Sequence, residues 1–357
     1  MTTVIPFSRL VAAVGLLSLG LFTASATAAT VSYTLYMTEK DKTITIPLAS
    51  TNYTRTFWVE GYTTTSGAVP DVGGVTLTAN EGDTVNITLI NQTTQAHDFL
   101  IQGTSVPRAS VAAGATRTVT FTAPAAGNYI YHDPLVDSRT TAENRAAGMA
   151  GALIVYPIGQ TAGAAGNLWA NGPNYDYDFT WVLSDFDKRW NAAAKTNTAA
   201  PKPYKATYAF INGDFGTHSM HNAKTSPVSK VGDTVAIRLI NVGMIPHPVH
   251  FHGYHGSAFR VNNQQQTRVV EKDVVDVPPM GTVDLIFHID QKGLYIVHDH
   301  TGMMVTQDGI YAEGMIAMFD VCKKHGGLVS GDPYCPVHTI GVPGGGWGGG
   351  WGGGWGR

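Results

Sequence analysis

Two short segments hold most of the residues able to do chemistry: His247-Pro-Val-His250-Phe-His252-Gly253 and His298-Asp299-His300. On a β-strand, side chains alternate between faces with a period of two, so His250 and His252 share one face and His298 and His300 share another. Two such strands side by side form a cage of imidazoles suited to a borderline metal such as copper or zinc. Packing the same rings together without a metal is awkward, because each buried nitrogen needs a partner and any two charged rings repel. His247 is a further candidate ligand, and Asp133 and Asp299 are candidates either for orienting a ligating imidazole or for donating a proton. Weaker candidates are His97, His218-Ser-Met220-His221, and the thioethers of Met303, Met304, Met315 and Met318. Methionine is more often core packing than ligand.

The only two cysteines, Cys322 and Cys335, sit in a doubled Cys-x-x-His spacing with His325 and His338. A disulfide is the simpler reading for an exported chain, and a zinc site is the alternative.

The elements that must position these groups are strands. From about residue 31, short Val, Ile, Thr, Tyr and Phe runs are broken by Gly, Pro, Asn and Asp, as in Val31–Tyr36, Thr84–Ile90 and Thr118–Thr122. Helical periodicity is scarce, with 139–147 the best short candidate. An internal repeat sets the layout: Glu81–Asn91 matches Val231–Asn241, His97 falls on His247, and Gly103 falls on Gly253. Gly127–Pro134 likewise matches Gly293–His300. This predicts an all-β chain of two homologous sandwich domains, 30–158 and 177–322, joined by a linker at 159–176. The 357 residues are ample for both.

Outside these domains, residues 1–29 read as a secretory signal: Arg9, an apolar stretch Val11–Phe22, and small residues ending near Ala28 and Ala29. The expected destination is the periplasm or the exterior. The C-terminal segment 323–357 ends in a glycine-rich tail carrying Trp347, Trp351 and Trp355, which cannot bury a core by itself. A net charge of -3 and 14% charged residues give no basic patch for nucleic acid, and no later stretch is apolar enough to span a bilayer.

Across 31–322 the sequence resembles the multicopper oxidase superfamily, whose cupredoxin domains are Greek-key β-sandwiches. The length and layout look most like two-domain laccases and copper nitrite reductases. The resemblance rests on His247-Pro-x-His-x-His-Gly253 with its upstream Gly-Asp-Thr-Val, and on the segment from Tyr131 to Val155. It implies copper as cofactor, with His250 serving a type 2 ion, His252 and His298 one type 3 ion, and His300 the other. His132 would join His300 from the first domain of a neighbouring subunit, which implies a homotrimer. His247 stands where the type 1 copper takes its first histidine.

The departures are specific. Leu100 and Gln102 stand where the family has a His-x-His pair, and Pro134 replaces another histidine. Asp299 and Asp133 occupy the thiolate position, and a blue-copper centre needs that thiolate. The expected function is therefore an exported, copper-dependent oxidoreductase lacking a type 1 centre, taking electrons from an unidentified small-molecule substrate or donor. Two alternatives compete: a non-catalytic copper storage, tolerance or delivery protein, and a structural surface protein on the inherited scaffold.

Overall fold

A computed structural model describes residues 28–47, 51–137 and 139–321, with the backbone of 323–324 and 327–328. The expected signal segment up to Thr27, both cysteines, His325, His338 and the Gly/Trp tail lie outside the described residues.

The alternation read from the sequence is visible as burial. Along the strand Thr84–Asn91, Val85, Ile87 and Leu89 point inward and are fully buried, while the residues between them face outward. Its neighbours complete a four-stranded sheet in the order Asn52–Thr63, Thr30–Pro47, Thr84–Asn91, Thr116–Thr122. This sheet packs on a five-stranded one in the order Leu77–Asn80, Ala150–Tyr156, Gly127–His132, His97–Ile101, Ala109–Val111. Leu35, Ile87, Phe99, Tyr131 and Leu153 fill the space between them.

The second half repeats the plan. A six-stranded sheet runs Tyr208–Ile211, Tyr177–Phe186, Thr234–Asn241, Thr282–His288, Gly256–Val261, Gln264–Lys272. It faces a four-stranded sheet ordered Val274–Val277, His247–Phe251, Leu294–Asp299, Ile316–Asp320, over a core that includes Trp181, Leu239, Phe251, Phe287 and Phe319. In both halves the strand of the Gly-Asp-Thr-Val repeat pairs in parallel with the first strand of its half. Parallel neighbours require the chain to cross over between them. The architecture is thus two cupredoxin-like β-sandwiches, as the sequence predicts.

Among the described residues, helices are few and short. The one expected over 139–147 spans Thr141–Ala147, and Thr140 and Glu143 form a capping box at its start. A second helix, Lys188–Lys195, is capped by Asp187 and has no counterpart in the sequence reading. The weaker candidate stretch His218 to His221 lies in the short helix Gly216–His221 with Ser219 and Met220 buried.

The stretch read as a linker is packed rather than loose. Leu168 and Tyr175 are buried against Ala236 and Ile286 of the second half. A buried polar network also ties the halves together. Arg238, fully buried, lies 3.1 Å from Asp178 and 3.5 Å from Asp284. Tyr156 donates to Asp178 and Asn128 donates to Asp284, both from the first half. The repeat places Arg238 where the first half has Thr88, whose hydroxyl meets only Thr118 at an exposed position. One position of the repeat has therefore become an anchor between the halves.

A conserved device within the repeat closes each sandwich. Asn91 Nδ2 donates to the carbonyls of Gln95 and Val111, and its Oδ1 accepts from Thr93 N–H. Asn241 does the same to Ile245, Val277 and Gly243. Each buried amide supplies hydrogen bonds to three backbone groups where the chain turns between strands. Asn241→Ala strands all three, and the expected cost is about 3 kcal/mol at about 1 kcal/mol per bond. Urea unfolding of the variant checks this, and an unchanged midpoint contradicts it.

Candidate metal centre

The centre is built on two adjacent antiparallel strands, His247–Phe251 and Leu294–Asp299. Their register sets His250 directly opposite His298 and Val249 opposite Asp299. Val249, Phe251 and Val297 point into the core, so strand parity turns His250 and His298 to the outer face. His252 and His300 follow on that face just beyond the strand ends. His252 N–H is held by the Ile296 carbonyl at 3.0 Å, and His300 N–H by the Pro248 carbonyl at 2.8 Å.

The rings converge. One ring nitrogen from each of His250, His252 and His298 lies within 4.8 Å of the other two, a spacing compatible with one metal ion. His252 Nε2 and His298 Nε2 are 3.1 Å apart. The His300 ring centre is 5.0 Å from that of His250 and 6.0 Å from that of His298.

The chemistry of the donor set fits a metal. Burial and then mutual repulsion between the rings push His250 and His252 below the usual histidine range, so both are neutral and carry a lone pair near pH 7. His298 Nδ1 lies 2.9 Å from the Asp299 carbonyl oxygen, which can only accept. The proton therefore sits on Nδ1, and Nε2 turns its lone pair toward the cluster. His250 Nδ1 is buried without a hydrogen-bond partner, a cost that a bound ion would relieve.

His247 is placed elsewhere. Three residues from His250, it has the opposite parity and points inward with Val249 and Phe251. Its Nδ1 lies 2.7 Å from Asp299 Oδ2 and its Nε2 3.1 Å from Asp185 Oδ2. Burial opposes charge on this ring, but the two carboxylates outweigh it and push the imidazole up to about 9. A doubly protonated ring has no lone pair for a metal. The structure thus engages both ring nitrogens of His247 with carboxylates and leaves it outside the three converging rings. Asp299 is correspondingly neither a carboxylate partner of His298 nor open to substrate. It is fully buried, with Oδ2 on His247 and Oδ1 accepting from Thr301 N–H at 2.7 Å.

The first half holds a second clamp of the same kind. His97 Nδ1 lies 2.7 Å from Asp133 Oδ2, and its Nε2 lies 2.9 Å from both Glu60 Oε1 and Thr93 Oγ1. Here too the flanking carboxylates overcome burial and push the ring up to about 9. Arg139 secures Glu60 from the far side at 2.6 Å. Asp133 therefore serves His97 rather than the adjacent His132. His132, the remaining candidate ligand, is buried and lies opposite Leu100 in its ladder, where the second half sets His250 opposite His298. Its Nδ1 has no hydrogen-bond partner, and it is not among the three converging rings. Met304 and Met315 pack in the core, while Met303 is exposed.

Glu60 and Asp185 were not legible as members of these clamps. They come from non-equivalent strands, so the repeat does not align them. One signal did exist: Gly243 stands where the first half has Thr93, and a Cβ there would collide with the Asp185 carboxylate.

With this geometry in place, the comparisons with known proteins are decisive on ancestry. Two family models, both described as multicopper oxidase, match residues 51–160 and 189–321. The chain belongs to the multicopper oxidase family. Copper-containing nitrite reductase from Neisseria gonorrhoeae is 27% identical over 247 residues, covering 65% of this chain and 57% of that protein. The match to the protein of the same name from Alcaligenes xylosoxydans xylosoxydans is 27% identical over 275 residues, covering 71% and 79%. Among solved structures, a blue copper oxidase from Nitrosomonas europaea superposes with a TM-score of 0.63 at 21% identity, over 82% of this chain and 86% of that one. A copper nitrite reductase from Nitrosomonas europaea gives 0.57 at 20% identity, over 81% and 94%. At these identities the superpositions establish the fold. Copper is the metal these relatives are named for, and imidazole nitrogen is a donor that suits it.

The clamps in this multicopper oxidase family member make a pH prediction. Both histidines have folded-state values near 9, above the unfolded value of about 6.5. Their stabilisation is complete below about pH 6.5 and is lost as pH rises through 9. Folding free energy should fall by about 3 kcal/mol per clamp over that window, at about 1.4 kcal/mol per unit. Denaturant unfolding from pH 6 to 10 tests the slope, and a flat profile contradicts two charged clamps.

Proposed function

We propose that this chain is an exported copper protein with oxidoreductase capability, holding copper at His250, His252 and His298 with His300 as a nearby fourth imidazole. The observation that carries the proposal is the convergence of three ring nitrogens within 4.8 Å on one outward face. When bound, copper supplies one-electron redox chemistry and a Lewis-acidic position for a small substrate. The chain's own part is orientation. The Asp299 carbonyl holds His298 in the tautomer that faces the cluster, and the Pro248 carbonyl holds the backbone of His300 beside it.

The reading excludes a type 1 centre. No cysteine occupies the thiolate position, and His247, which would be the first ligand, is engaged by two carboxylates. Electrons would then come from a substrate in contact with the copper, not through a blue site. We further propose export directed by residues 1–29 and assembly as a homotrimer, in which His132 meets the cluster of a neighbouring subunit. The unpartnered Nδ1 of buried His132 supports that role. The clamped His247 and Asp299 equally favour a second reading, storage or delivery of copper without turnover.

Copper reconstitution of the mature chain decides among these. One or more copper ions per chain, without intense blue absorption, is the expected result. His298→Ala should remove at least half of the bound copper, and unchanged stoichiometry would overturn the site. Oxygen uptake or nitrite consumption with small donors supports catalysis, and its absence in a copper-loaded protein supports storage. Sedimentation should give three times the chain mass.

A further inference from the structure

We infer that Asp273 tunes the oxidation-state preference of the histidine cluster, favouring divalent over monovalent copper. The inference rests on the reading above that copper occupies His250, His252 and His298.

Asp273 is set beside the cluster by the backbone. His250 is paired with Val274 across the ladder, and Phe251 N–H donates to the Asp273 carbonyl at 2.7 Å. The position of the Asp273 main chain is therefore fixed relative to the ring it adjoins. Its carboxylate Oδ2 reaches within 3.9 Å of His250 Nε2. The side chain is 56% exposed and His250 20%, so the contact lies at the mouth of the site.

The charge balance gives this contact its consequence. An imidazole ligand brings no charge of its own, so three of them do not distinguish the copper oxidation states by charge. The carboxylate of Asp299, next to His298 in the chain, is turned to the core and paired with His247. Asp273 thus brings negative charge to the open side of the cluster. Coulombic attraction to a divalent ion is twice that to a monovalent one at the same distance. Carboxylate oxygen is also a harder donor than imidazole and suits the oxidised ion better than the soft reduced one. Water at the mouth and added salt screen the effect without changing its sign.

The test uses the full mature chain and copper alone. Cu(II) and Cu(I) affinities are measured by competition with chelators selective for each state, alongside the reduction potential and the EPR spectrum. In Asp273→Asn, Cu(II) affinity should fall about tenfold and Cu(I) affinity about threefold, so the potential rises by about 30 mV at 59 mV per tenfold ratio. Asp273→Glu should keep most of the preference for Cu(II). Asp276 is exposed further along the strand that follows Asp273, opposite Pro248, and Asp276→Asn provides the control. Equal losses in both oxidation states, an unchanged potential, or the same shift from Asp276→Asn would overturn the inference while leaving the copper site intact. Failure of the unaltered chain to bind copper would overturn the underlying site and this inference with it.

Discussion

The antiparallel register of His247–Phe251 against Leu294–Asp299 is the constraint on which the rest of the centre depends. A strand has two faces, and adjacent strands share them. Setting His250 opposite His298 also sets Val249 opposite Asp299. The outer face therefore collects the converging imidazoles, and the inner face collects His247 and its carboxylates. A slip of one residue would exchange these populations, turning valine and phenylalanine outward and burying the converging rings. The core residues on the inner face hold the register, so packing and site geometry are set by the same hydrophobic contacts.

The two clamps show how a buried charge can be tolerated where the family's resemblance places a metal ligand. A lone charged imidazole in the core would carry a heavy desolvation cost. At His247 the cost is offset by Asp185 and Asp299, which in turn accept from Tyr204 and from the Thr301 backbone. At His97 it is offset by Glu60 and Asp133, with Arg139 completing the group. The same solution is reached with carboxylates drawn from different strands. What the halves share is the need to satisfy both ring nitrogens, not the route by which the second partner arrives. Removing either partner would leave the other charged and buried, so each clamp holds its members firmly in place.

Much of this was legible before any coordinates. The repeat from Glu81 to Asn91 and Val231 to Asn241 identified two equivalent halves, and alternation along Thr84–Asn91 identified buried and outward residues. Parity could have separated His247 from His250 as well, since an interval of three on a strand changes face. The Lys188–Lys195 helix was not legible because its sequence is polar with a short alanine run, and it forms against the first half rather than by strong periodicity. The stretch 159–176 read as a linker, yet Leu168 finds a buried place that composition alone does not reveal.

The sequence by itself determined the β-sandwich class, the twofold internal repeat, the family and the identity of the imidazoles, because these follow from residue type, local period and spacing along the chain. Only the tertiary structure decided which imidazoles are free to bind and which are locked. That depends on where Glu60, Asp185 and Asp273 arrive in space. Glu60 and Asp185 reach their histidines from strands 37 and 62 residues away in the chain, by routes that the repeat does not align. Long-range pairing of strands, rather than any local pattern, sets the charge around each ring, and that charge decides whether its nitrogen carries a proton or a lone pair.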